Sequence, residues 1–120
     1  MKKIPNKINN ITQEFTTKVN ELLGNRIKKI ILYGSYARGD YNNNSDIDIM
    51  ILTDLSDEEI IEYRDKISDI AFDIEYNNQF DIMLSPLIKN IDKFNYWLQA
   101  LPFYMNIQKE GVVLSEFKSV

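Results

Sequence analysis

Apolar residues recur at Ile8, Ile11, Phe15, Val19 and Leu22, three or four positions apart, and this spacing predicts an amphipathic helix that ends near Gly24. Lys28 to Tyr33 reads as a buried strand. Further on, Ile47, Ile49 and Ile51 alternate with Asp46, Asp48 and Met50, which predicts a second strand with both carboxylates on one face at its start. Ser56 and Glu59 form a capping box, and Ile60, Tyr63, Ile67, Ile70 and Ile74 continue as a helical stripe from about Asp57 to Tyr76.

The polar YNNQ segment breaks that helix, and Phe80, Ile82 and Leu84 alternate with Asp81 and Met83 as an expected third strand. Ser85 and Pro86 read as the N-cap and first turn of a helix running through about Gln99. Pro102 opens another short helix, Glu110-Gly111 stops it, and Val112 to Leu114 adds a last strand. The expected order is α, β, β, α, β, α, α with a closing β: an α/β (α+β) fold with a mixed three- to four-stranded sheet and helices mainly on one face. No internal repeat, linker or low-complexity tract interrupts it, and the length of 120 residues fits one domain spanning 1–120.

Composition narrows the chemistry. No apolar run approaches the roughly 20 residues of a membrane span, and the start, MKKIPNKINN, has no apolar stretch of a signal peptide, so the expected setting is cytoplasmic. The chain has no cysteine and no histidine, which excludes disulfides, thiolate zinc sites, a cysteine nucleophile and Ser-His-Asp machinery. Acid–base or metal chemistry therefore falls to carboxylates, whose hard oxygens favour magnesium or manganese. The net charge of -4 is uneven: residues 1–30 carry seven Lys or Arg against two Glu, and residues 40–81 carry thirteen acids against two bases. An acidic middle with no basic stripe argues against sequence-specific nucleic-acid binding.

Within that frame one constellation stands out. Gly34 and Ser35 precede Asp46-x-Asp48 by a gap of ten residues, with KKIILY and IDIMIL on either side. Four fixed residues at background frequencies meet such a spacing at only about one position in 10^5. Gly34 lets the backbone turn sharply and approach a phosphate, Ser35 offers an N–H and a hydroxyl, and Arg38 presents a forked guanidinium to phosphate oxygens. Asp46 and Asp48 can share metal ions, and a carboxylate from a neighbouring strand would complete a two-metal site. Asp81, isolated between Phe80 and Ile82, is the candidate; Asp73 is the rival, on the predicted helix. Either half of the pattern has an ordinary explanation, a loop turn or a strand end, but together at this spacing they favour the functional reading.

These residues resemble the minimal nucleotidyltransferases (MNT) of the DNA polymerase β superfamily, whose signature G-S-x(10)-D-x-D, often in the longer form G-S-x-A-R-G, is matched by GSYARG and SDID. The resemblance extends from about Ile30 to Leu114. It implies phosphate binding by Gly34 and Ser35, phosphate contact by Arg38, magnesium binding by Asp46 and Asp48, and Asp81 as third ligand assisting deprotonation of the acceptor hydroxyl. ATP would be the donor, with two Mg2+ ions.

Members that modify small molecules, such as aminoglycosides, usually carry a further acceptor domain, for which this chain is short. Many short members look like antitoxins encoded beside a HEPN-domain toxin and can transfer AMP to a tyrosine of it, so the resemblance implies a HEPN-toxin partner. A HEPN ribonuclease itself would need the histidine of R-x(4)-H, which this chain lacks. Two alternatives are a transferase for a small hydroxylated molecule and a non-catalytic antitoxin that masks its partner. The segment FNYWLQALPFYMNI gathers Phe94, Tyr96, Trp97, Phe103 and Tyr104, and some of these rings are expected to face outward as an interface.

Overall fold

A computed structural model describes residues 3–116 of the chain. Helix α1 spans Asn6–Leu23 and buries Ile8, Ile11, Phe15, Val19 and Leu23 along one stripe, with Gly24 closing it at a φ of 55°. A short 3-10 turn leads into β1 (Ile27–Tyr33), a single helical turn α2 (Ser35–Arg38) follows, and β2 covers Ile47–Thr53. Helix α3 (Asp57–Asn77) starts with the reciprocal Ser56–Glu59 capping box. Then come β3 (Leu84–Asn90), α4 (Ile91–Trp97), α5 (Pro102–Glu110) and β4 (Val112–Glu116). None of these helices is long and apolar enough to cross a membrane.

The four strands lie in the order β3-β2-β1-β4; β1 runs antiparallel to both β2 and β4, and β2 runs parallel to β3 through the α3 crossover. One face of the sheet carries the larger core, in which Ile30, Leu32, Ile47, Ile49 and Ile51 meet Phe15 and Val19 of α1 and Ile67 and Ile74 of α3. The opposite face carries a smaller core of Ile31, Met50 and Leu52 under Phe94 of α4 and Ile107 of α5. Strand β2 is thus covered on both sides, which is why its run IDIMIL is nearly continuous in apolar residues. Each isoleucine buried in this way contributes about 1.5–3 kcal/mol.

The third strand differs from the sequence expectation. Phe80, Asp81 and Ile82 lie outside it, because the chain turns after α3 with Gln79 and Phe80 in the left-handed region, at φ 53° and 57°. The turn is held by Phe80 N–H donating to Glu75 O at 2.8 Å and Asp81 N–H donating to Asn78 O at 3.0 Å. The buried Glu75 carboxylate then accepts the N–H of Leu84 at 2.8 Å, which starts β3 there. Ser85 and Pro86 are strand residues, paired with Asp48 and Ile49, and the expected helix begins only after Asn90, whose side chain caps it by accepting from Lys93 N–H. Proline is tolerated because β3 is an edge strand, where a missing N–H breaks no ladder.

Arg26, in the 3-10 turn, donates both η nitrogens to Glu59 at 3.1 Å each and its Nε to Asp54 at 2.5 Å, fixing the start of α3 beside β1. The Arg26 guanidinium first, and the Ser56 N–H second, hold the Glu59 carboxyl down to about 2 from an ordinary 4.5. A lowered acid stabilises the fold fully above its unfolded value, and that share is lost as pH falls through the folded one. Urea midpoints of the natural chain and of Glu59→Gln should therefore differ near neutrality and converge as pH approaches about 2. A gap that stays constant with pH would show that the ion pair contributes nothing.

Candidate active site

Strand pairing brings the two halves of the sequence motif together. Tyr33, the last residue of β1, is the register partner of Asp48 in β2, so the chain leaves the sheet at Gly34 directly beside that carboxylate. Gly34 adopts φ 78° and ψ -155°, a region essentially confined to glycine. A Cβ built at this position would lie 2.2 Å from Asp48 Oδ2. The approach therefore requires glycine twice over, for the backbone and for the space.

Beyond Gly34 the chain makes the one turn of α2, with Arg38 N–H donating to Gly34 O at 3.0 Å and Gly39 N–H donating to Ser35 O at 2.9 Å. Gly39, at φ 89°, closes the turn in the left-handed conformation. The Asn42-Asn43-Asn44 run is a hydrogen-bonded loop: Asn44 N–H donates to Asn42 Oδ1 at 2.8 Å and Asn42 N–H to Ser45 Oγ at 2.9 Å. Tyr36, buried under α2, stacks on Tyr41 at 4.7 Å between ring centroids, which ties α2 to this loop.

Tyr33, Gly34, Ser35, Arg38 and Asp48 form one side of a cleft of about 310 Å³, and Phe103, Asn106, Ile107 and Glu110 of α5 form the other. Arg38 bridges the two sides: its Nε lies 3.1 Å from Asp40 Oδ2 and its η nitrogen 3.5 Å from Glu110 Oε2. Burial first, and the charge of Asp46 second, push the Asp48 carboxyl above its ordinary value, while Arg38 pulls it back. Burial, with a smaller push from Asp48, raises the Tyr33 hydroxyl to about 12. Tyr33 therefore stays neutral near pH 7 and serves as a wall.

Of the residues singled out in the sequence, Gly34, Ser35, Arg38 and Asp48 line one cleft, and Asp46 sits close enough to raise Asp48, with its own side chain exposed. Asp81 is placed elsewhere. It lies in the turn before β3, with its side chain 69% exposed and 3.9 Å from Lys7 Nζ. Among the described residues no three acidic side chains come together in a way that would enclose a metal ion. Asp81 is not among the residues that line this cleft. Exposed ion pairs contribute little, so Asp81→Asn should leave catalytic rates within about threefold. A loss matching that of Asp48→Asn would return Asp81 to the site.

The α5 side of the cleft was not anticipated. Phe103, Asn106, Ile107 and Glu110 fall at i, i+3, i+4 and i+7, a single helix face, and that spacing was the available signal. The aromatic segment divides as well: Phe94 is buried at 4% exposure, while Tyr96 at 76%, Trp97 at 47% and Phe103 at 48% face outward.

Residues 12–114 match the family model of the nucleotidyltransferase domain. A Methanocaldococcus jannaschii protein provisionally named protein adenylyltransferase MJ0604 is 33% identical over 102 residues, covering 85% of this chain and 92% of its own. A provisionally named nucleotidyltransferase from Sulfolobus solfataricus has a similar fold, with a TM-score of 0.62 at 17% identity over 92% of this chain and 81% of that one. A toxin–antitoxin structure with AMP-PNP also shares the fold, with a TM-score of 0.51 at 19% identity over 88% of this chain and 74% of that one.

Proposed function

The chain belongs to the nucleotidyltransferase-domain family and is a nucleotidyltransferase, and from that premise we propose that it moves AMP from ATP to a tyrosine hydroxyl of a partner protein, as the antitoxin of a HEPN-class toxin in the cytoplasm. The observation that carries this reading is the juxtaposition of Gly34 and Asp48, which sets the glycine turn directly against a carboxylate in the cleft that Arg38 also lines. Support for a protein acceptor comes from the name of the M. jannaschii relative, and support for a toxin partner from the toxin–antitoxin neighbour.

In the proposed reaction the acceptor oxygen forms a bond to the α-phosphorus, the bond from that phosphorus to the α–β bridging oxygen breaks, and pyrophosphate leaves. The acceptor proton passes to solvent. Gly34 and Ser35 offer backbone N–H groups to the phosphates, and Arg38 exchanges its carboxylate partners Asp40 and Glu110 for phosphate oxygens, neutralising charge as it builds.

Two neighbouring carboxylates, one of them pushed up by burial first and by the other's charge second, are a donor set that a divalent cation relieves. Magnesium is commonly held through one or two carboxylates plus substrate phosphates, so the pair Asp46 and Asp48 fits it without a third acid. When bound, magnesium neutralises the triphosphate and lowers the pKa of the attacking hydroxyl.

The test uses ATP labelled at the α-phosphate, magnesium and a candidate HEPN-class partner protein. Label is expected on the partner, and it should disappear when the partner's acceptor tyrosine is changed to phenylalanine. Label delivered only to small hydroxylated molecules would overturn the protein acceptor. Neutralisation without any transferred label would replace the enzyme by a masking protein.

A further inference from the structure

We propose that the exposed face of α5 is the nucleoside-binding wall of this cleft, with Phe103 stacking on the base of the donor nucleotide and Asn106 hydrogen-bonding to the polar edge of that base. The inference rests on the reading that the cleft holds a nucleotide, and it deepens that reading by assigning the base to one set of side chains.

The cleft is chemically divided. Gly34, Ser35 and Arg38 supply donors and positive charge at one side, which suits the triphosphate. Phe103 and Ile107 supply an apolar surface on the other, which carries no charge to match a phosphate chain. A nucleotide has both characters in one molecule, an anionic tail and a flat base with a hydrogen-bonding rim.

Phe103 has the geometry of a stacking platform. Its ring meets Tyr33 at 5.7 Å between centroids and 82° between planes, and Tyr104 at 5.9 Å and 43°, so neither neighbouring ring lies flat against it. The side chain stays 48% exposed although it borders a cleft, and an aromatic face is a surface on which any base can stack. Tyr33, the last residue of β1, packs against the ring and ties it to the sheet.

Asn106 lies one turn along the same helix face and lines the same cleft. Its side chain is exposed, and among the described residues its amide has no hydrogen-bond partner. A side-chain amide offers a donor and an acceptor together, the pairing presented by adenine at N6 and N7 and not by guanine at O6 and N7. Asn106 is therefore the residue on this wall able to prefer ATP over GTP. Glu110, the last residue of this face, is engaged with Arg38 and links the two sides of the cleft.

Calorimetric titration in magnesium buffer tests the assignment without any acceptor present, which separates the base from an acceptor ring as the occupant of the wall. The probes are α,β-methylene-ATP, whose α–β linkage resists cleavage, its guanine counterpart, and inorganic tripolyphosphate. Phe103→Ala should weaken α,β-methylene-ATP by about tenfold or more and change tripolyphosphate by less than about twofold, as expected for removal of a stacking aromatic. Phe103→Tyr should restore nucleotide binding. Asn106→Ala should narrow the preference for the adenine over the guanine probe.

Equal losses for nucleotide and tripolyphosphate, or no loss for either, would overturn the wall. A natural chain that binds tripolyphosphate as tightly as the nucleotide would overturn the wall alone and leave the phosphate site standing. A natural chain that binds neither would overturn the nucleotide reading of the cleft and the wall with it.

Discussion

Asp48→Asn is expected to lower the rate of nucleotidyl transfer by about a thousandfold or more while leaving the fold at least as stable, because carboxylate-held magnesium contributes several kcal/mol to such reactions. The stability half of the prediction follows from electrostatics. Burial and the neighbouring Asp46 push the Asp48 carboxyl up, so the folded chain disfavours its charged form. For an acid raised on folding, stability is greatest below the unfolded pKa and falls as pH rises through the folded one. Asparagine has the same shape and no charge, so near neutrality the variant escapes that penalty. Single-turnover transfer and urea midpoints at pH 7 measure the two halves separately. Full activity in the variant would remove Asp48 from the chemistry, and a marked loss of stability would mean that its role is structural.

Gly34→Ala carries the second large effect, and here stability and activity should fall together. Alanine at φ 78° and ψ -155° occupies backbone space that costs about 1–3 kcal/mol, and its Cβ would have to displace Asp48 Oδ2, which lies 2.2 Å from the ideal position. Either the carboxylate swings away or the turn retreats from it. A displacement of about 1 Å in a reacting constellation is worth about a hundredfold in rate. Gly24→Ala serves as the control, since Gly24 also has a positive φ, 55°, but a Cβ there meets nothing within 4 Å. The control should lose stability through strain with transfer by the folded fraction unchanged. If Gly34→Ala turned over like the natural chain, the close approach would have no part in catalysis.

The elements read from sequence most directly are those whose signals are local. The stripe from Ile8 to Val19 and the Ser56–Glu59 box specify α1 and the start of α3 through spacing and reciprocal hydrogen bonds within a few residues. Ser85-Pro86 carried an equally local signal for a helix start, yet it lies in β3. There the seven-residue pairing with β2 outweighs a capping preference, and the edge position spares the proline any lost ladder bond. Asp81 was misplaced for a related reason: alternation from Phe80 to Leu84 looks like a strand, while the hydrogen bonds of the turn after α3 and the Glu75 carboxylate delay β3 to Leu84.

For the candidate site, the spacing of Gly34, Ser35, Asp46 and Asp48 was visible because both halves flank strands that are consecutive in the chain, and consecutive strands usually pair. The antiparallel register that sets Tyr33 opposite Asp48 then brings the halves into contact. The opposite wall had no such cue. Phe103, Asn106 and Glu110 lie more than fifty residues beyond Asp48 in sequence, and they reach the cleft only because Ile107 packs on Ile31 and Met50, on the side of the sheet that carries Asp48.

The sequence by itself determined the reaction class, through a motif with no histidine or cysteine to offer another chemistry, and it determined the helices and strands whose spacing is local. The tertiary structure decided which residues share the cleft with that motif, setting Phe103, Asn106 and Glu110 of α5 across from it. The physical reason is that chemistry resides in residue types and short spacings, whereas a wall is made by long-range packing. A buried Ile107 positions Phe103 and Asn106, and its partners Ile31 and Met50 are far away along the chain.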